Sequence, residues 1–169
     1  MKKIMICLLV LAAVLPFGSC RRAIEKAREN IRVEEVEKIE RHGMTGIDIV
    51  VRVKNDTGYK LALDQAQLDL YYGGREVGSV TLREGVGVDR RSTASVATQW
   101  KIRISDPLAM YVLAKKIEQG DLSQVAVSYR VKGKGGPAGI DISRDMVPVS
   151  EFLNTFGVTL EDVGNYLKN

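Results

Sequence analysis

The feature that most constrains this chain is a period of two. Ile47, Ile49, Val51 and Val53 alternate with Asp48, Val50, Arg52 and Lys54. Successive side chains of an extended strand point to opposite sides, so the pattern describes a strand with one buried face. A longer copy follows at Val96, Thr98, Trp100, Ile102 and Ile104, opposed by Gln99, Lys101 and Arg103. Val125, Val127, Tyr129 and Val131 repeat the spacing.

Turn chemistry separates these runs. Asn55-Asp56-Thr57-Gly58 is a turn sequence, because Asn and Asp bond to nearby backbone and Gly tolerates positive φ. The next run has Leu61 and Leu63 at odd positions but Leu68, Leu70 and Tyr72 at even ones. A parity change between Asp64 and Ala66 requires a bulge or bend, or the apolar face would turn to water. Gly73-Gly74 closes a hairpin into Val77 to Leu82, and the loop KGKGGPAG leads into a strand from Ile140 to Val149. Ile31 to Glu40 fits two periods: Ile31, Val33 and Ile39 suit a strand face, Val33, Val36 and Ile39 a helix. It is read as a first strand.

Two segments carry helix signals. Asp106 is a capping residue followed by Pro107, Met110, Leu113 and Ile117 form a stripe, and Gly120 stops it behind Lys115 and Lys116. A last helix is signalled at Thr159, with Asp162 as a weak capping box and Val158 and Val163 as a staple; Leu160, Val163 and Leu167 would pack it on the body. About seven strands and two or three short helices imply a mainly β antiparallel sandwich.

The N-terminus reads differently. Lys2 and Lys3 precede fourteen mostly apolar residues, Ile4 to Phe17. A membrane span needs roughly 20 such residues, so residues 1–19 are expected to be a signal peptide. Its removal from the 169-residue chain leaves 150 residues, long enough for one domain, with Lys2 and Lys3 gone and 23 basic residues against 21 acidic, a net +2. Cys7 leaves with the signal, and Cys20 is then the lone thiol of an exported chain. Phe17-Gly18-Ser19-Cys20 resembles a bacterial lipobox, with Phe17 where Leu is usual. That resemblance implies diacylglyceryl attachment at Cys20, and two acyl chains hold a protein on a membrane where one does so marginally. The charged segment RRAIEKAREN completes a tether, residues 20–30. Arg21 after the cysteine is similar to lipoproteins sent to the outer membrane, with the domain facing the periplasm.

From Ile31 to Val149 the order of strands is similar to the late embryogenesis abundant group 2 family, the water-stress and hypersensitive-response type of domain. The matching residues are DIVVRVKNDTGYKLALDQAQLDLYYGGREVGSV, Asp48 to Val80, and VAVSYRVKGKGGPAGIDI, Val125 to Ile142. The family usually has Asn-Pro at the first turn; here Asn55-Asp56 stands there. The resemblance implies an immunoglobulin-like or fibronectin-III-like sandwich over residues 31–149 with one inserted helix, and the capping signals at Thr159 make residues 150–169 a helical extension. It implies stress tolerance or binding, and no agreed catalytic site.

The residues point away from catalysis. His42 is the only histidine, Gly-x-Ser-x-Gly is absent, and Cys20 is committed to the anchor, so a hydrolase triad is not expected. His42 beside Gly43 is read as a turn residue. One His and one Cys cannot supply the usual four zinc ligands, and no metal or cofactor is expected. Gly85-Val86-Gly87 and the glycines from Gly133 to Gly136 fit hairpin turns better than phosphate loops. Asp141 and Asp145 are read as solvated carboxylates, about 13 Å apart along a strand. Arg90, Arg91, Lys101, Arg103, Lys132 and Lys134 would make a basic surface only if the fold gathers them, and a net charge of +2 is no nucleic-acid footprint. Tyr72, Trp100, Tyr111 and Tyr129 are assigned to the core, and Tyr71, opposed to Leu70 and Tyr72, to a surface contact. The expectation is a monomeric, non-catalytic, lipid-anchored domain for binding or envelope maintenance under stress, with an envelope protein or lipid as partner. The alternative is a carrier of lipid or another apolar ligand.

Overall fold

The computed structural model describes residues 30–156. The expected signal peptide, Cys20, most of the expected tether and the helix expected at Thr159 lie outside them. Among the described residues the chain is mainly β, with eight antiparallel strands and two short helices. The strands are β1 (Ile31–His42), β2 (Gly46–Asn55), β3 (Leu61–Tyr72), β4 (Arg75–Leu82), β5 (Val86–Val88), β6 (Ser92–Ile104), β7 (Val125–Gly135) and β8 (Ala138–Pro148). The helices are α1 (Pro107–Glu118) and α2 (Val149–Phe156).

Hydrogen bonds link the strands in the order β1-β2-β6-β4-β3-β7-β8, with β5 beside β3. Strand β4 joins two halves. Its residues 78–82 pair with the end of β6, and it also pairs with Gln67–Tyr72 of β3. The apolar faces of the halves meet in one core. Ile49, Val51, Val53, Val96 and Trp100 come from β2 and β6, and Leu63, Ala66, Val127, Tyr129 and Val131 from β3 and β7. The result is an antiparallel β-sandwich-like architecture in which one continuous sheet supplies both layers.

The expected bulge is present. The register of β3 against β7 shifts between Leu63 and Gln65, so Leu63 before it and Ala66 after it are both buried. The same device explains the ambiguous first segment. β1 is bulged twice, between Val33 and Glu35 and between Val36 and Lys38. Val33, Val36 and Ile39 consequently lie opposite Val53, Val51 and Ile49, and a spacing of three serves a strand.

Tight turns close the hairpins. Gly73 and Gly74 have φ of 56° and 78°, a region where side chains other than glycine are strained, and they connect β3 to β4 in two residues. Gly133 answers a different need: a Cβ there would lie 2.5 Å from the Ala62 carbonyl oxygen, so β3 and β7 approach too closely for any side chain. The KGKGGPAG segment is mostly strand, with Lys132 to Gly135 inside β7 and β8 resuming at Ala138.

Helix α1 follows its sequence signals. Asp106 caps it by accepting the Ala109 N–H at 2.9 Å, and Gly120, at φ 74°, lies just beyond its end. Leu113 is 1% exposed and packs with Val77 and Val125 in a second, smaller core. Two sequence expectations are corrected. Tyr111 is 62% exposed, because the buried stripe of α1 runs through Leu113 and leaves Leu108, Tyr111 and Val112 outward. Gly85-Val86-Gly87 is not a hairpin turn, since Val86–Val88 pairs with Leu61–Leu63 as a short strand. Helix α2, beginning directly after Pro148, brings Phe152 against Tyr129 with ring centroids 5.4 Å apart.

Candidate functional site

Two polar constellations stand out, one closed and one open. The closed one is Asn55, fully buried at the end of β2. Its amide donates to the carbonyls of Tyr59 at 2.8 Å and Asp89 at 2.9 Å, with that of Val88 at 3.3 Å. Its oxygen accepts from the Thr57 N–H at 3.0 Å and the Thr57 hydroxyl at 2.6 Å. Every polar atom is used, so Asn55 fastens the β2–β3 turn to β5 and holds nothing else.

The open one is on the outer face, where β1, β2, β6 and β4 lie side by side. Two cross-strand rows define it. His42 lies opposite Gly46, Gly46 opposite Lys101, and Lys101 opposite Thr81. In the next row Glu40 lies opposite Asp48 and Asp48 opposite Gln99, and the Arg83 N–H donates to the Gln99 carbonyl at 2.8 Å. The inward residues of these strands form the core, so the outward ones share a surface. In that surface Gly46 leaves a notch. A cleft of about 370 Å³ opens there, lined by His42, Thr45, Gly46, Asp48, Arg83, Gln99, Trp100 and Lys101.

The walls are fixed. Thr45 accepts the Ile102 N–H at 2.8 Å through its carbonyl, which ties the β1–β2 turn to β6. Beneath the cleft the Trp100 indole donates to the Thr98 hydroxyl at 2.9 Å, and Thr98 donates to the Ile49 carbonyl at 3.0 Å. The His42 Nε2 is 2.9 Å from Asp48 Oδ2, so imidazole and carboxylate are committed to each other. Neither Arg83 nor Lys101 has an ion pair among the described residues, whereas Arg103 pairs with Glu76 and Lys132 with Asp141. Those last two pairings divide the basic surface that the sequence offered.

The other sequence candidates fall as follows. His42 ends β1 at the turn, as expected, but also walls the cleft. Tyr71 is half-buried in β3, while Tyr59 and Tyr111 are the exposed aromatic residues among the described ones. Trp100 and Tyr129 are buried, Tyr72 partly so. Asp141 is 3.3 Å from the Lys132 ammonium. No group of three or more His, Cys, Asp or Glu among the described residues is placed to hold a metal ion. No helix among them is long and apolar enough to cross a membrane.

No family model matches the chain, and no curated protein does. Two solved structures resemble it in part. A protein from Archaeoglobus fulgidus is 12% identical over 67% of this chain and 91% of its own, with a TM-score of 0.41. The yeast GGA1 GAE domain-P21 is 8% identical over 68% of this chain and 94% of its own, with a TM-score of 0.30.

Proposed function

We propose that this chain is a lipid-anchored, non-catalytic binding module of a bacterial envelope. In this reading Cys20 carries the acyl chains, residues 21–30 are the tether, and the sandwich, of the late embryogenesis abundant group 2 type, faces the periplasm from the outer membrane. The observation that carries the binding role is the open cleft on a surface of four hydrogen-bonded strands. Sites built on strands hold their geometry more closely than sites on loops, and this one presents donors and positive charge outward. The lipobox-like residues support the anchor, and the Asp48 to Val80 pattern supports the family.

A carrier of lipid needs an apolar cavity, commonly one between layers. Here Val51, Val127 and Val131, each 0–1% exposed, fill the centre between the halves. The binding reading is therefore preferred.

The test is a native mass spectrum of the full chain extracted from membranes of its own source. A product beginning at Cys20 and carrying a diacylglyceryl mass is expected. An unmodified Cys20 overturns the anchor. Turnover of an ester, peptide or glycan by the purified protein, lost on a single polar substitution, overturns the non-catalytic role.

A further inference from the structure

We infer that the outer-face cleft binds a phosphate group, with Arg83 and Lys101 as its cationic ligands. The inference deepens the binding-module reading but does not depend on the anchor. Three observations converge on it.

The first is charge placement. Arg83 lies opposite Gln99, two residues from Lys101 on the neighbouring strand, so the two cations are diagonal neighbours. Such positions are about 7–8 Å apart, within reach of one anion held between two long side chains. Neither has a carboxylate partner among the described residues. Asp48, the acidic member of the lining, is turned to His42.

The second is shape. Gly46 stands beside Lys101 and opposite His42, and a Cβ there would have His42 Cβ at 3.5 Å and the Trp100 carbonyl oxygen at 3.7 Å. Those are ordinary contacts, so alanine would fit the backbone and fill the notch. The cleft's 370 Å³ is at the small end for ligand sites, which run from about 300 to 1,000 Å³.

The third is donor geometry. The Arg83 guanidinium is a planar fork and Lys101 a point charge, while the Gln99 amide and Thr45 hydroxyl add neutral donors from other walls. Donors arriving from several sides suit a tetrahedral oxyanion better than a planar carboxylate. A free phosphate and a phosphomonoester headgroup share this chemistry.

The experiment is an amide chemical-shift titration of the full chain in nonionic detergent at low salt. The probes are inorganic phosphate, dihexanoyl phosphatidic acid below its micelle concentration, and dihexanoyl phosphatidylcholine as the control. Saturable shifts at Thr45, Gly46, Arg83 and Lys101 with inorganic phosphate support the proposal and assign a free or soluble phosphate. The same shifts with phosphatidic acid alone also support it and assign a headgroup. Affinity should fall by about tenfold or more in Arg83→Gln with Lys101→Gln, a loss of charge-assisted bonds. It should also fall in Gly46→Ala, which keeps every charge and the fold. Shifts spread evenly over Arg130, Lys134 and other exposed cations, no saturation with either phosphate probe, or unchanged binding in these variants would overturn it. Acyl mass at Cys20 and phosphate binding are separate readouts, so either proposal can fail alone.

Discussion

Asn55 shows how much one side chain can hold in a turn. Its replacement by alanine leaves the Thr57 N–H without its partner, in a place with no exposed surface at position 55, while the Tyr59 and Asp89 carbonyls each lose one donor and keep another, the hydroxyls of Thr57 and Ser92. One unsatisfied buried group costs about 1–3 kcal/mol, so Asn55→Ala should destabilise the domain by about 2 kcal/mol. Urea denaturation measures this directly. A loss under about 1 kcal/mol would mean the turn re-forms its bonds without the amide. The sequence marks Asn55 as a turn residue, but not its reach to β5, because Val88 and Asp89 are brought to it only by pairing of β5 with β3. The cleft is hidden for the same reason. Its walls come from residues 42–48, 83 and 99–101, and its central feature is the side chain that Gly46 lacks.

Among the elements, α1 is where local signals translate most directly into energy. Asp106→Ala removes the cap and should cost about 1 kcal/mol, read as a lower thermal midpoint with an unchanged spectrum. Beyond the other end of α1, Asp121 accepts from the Ser123 hydroxyl at 2.7 Å and its N–H at 3.2 Å, and pairs with Lys116 at 3.1 Å. These bonds to the Ser123 hydroxyl, to Lys116 and to the Ser123 backbone, in that order, lower its pKa from 3.8 to about 2. The folded state therefore favours the carboxylate. Its contribution is complete above about pH 4 and is lost as the pH falls toward 2. A carbon-13 titration of the Asp121 carboxyl should find the low midpoint, and Ser123→Ala should raise it. A midpoint near 3.8 in the parent protein would refute the arrangement. The cap was legible because it is written in adjacent residues, and the β3 bulge because parity records it. The identity of β1 was not, because two bulges turn a period of two into a spacing of three that a helix also uses. Tyr111 was misread since a helix with apolar residues on two stripes does not say which stripe the body covers. The paired bulges also have a use at the edge: with Glu34, Glu35, Glu37 and Lys38 they discourage another strand from adding to β1.

For the whole molecule, the shared core makes the two halves one cooperative unit. Trp100, the single tryptophan, is 2% exposed in that core and belongs to the β2–β6 half. Its fluorescence and the far-ultraviolet circular dichroism should report the same unfolding midpoint. Separate midpoints would show that the β3–β7–β8 half stands without the other. The joining strand β4 also sets a timetable for the nascent chain. By the time Ile104 has been synthesised, β6 can close on both β2 and β4, and five strands of the path are in place. One side of β3 still waits, since β7 comes only with Val125 to Gly135, after α1 has been made. Until then the N–H and C=O groups of a twelve-residue strand, and the apolar residues beside it, face whatever is nearby. A chain cut short within α1 would be mostly folded and still adhesive along one border.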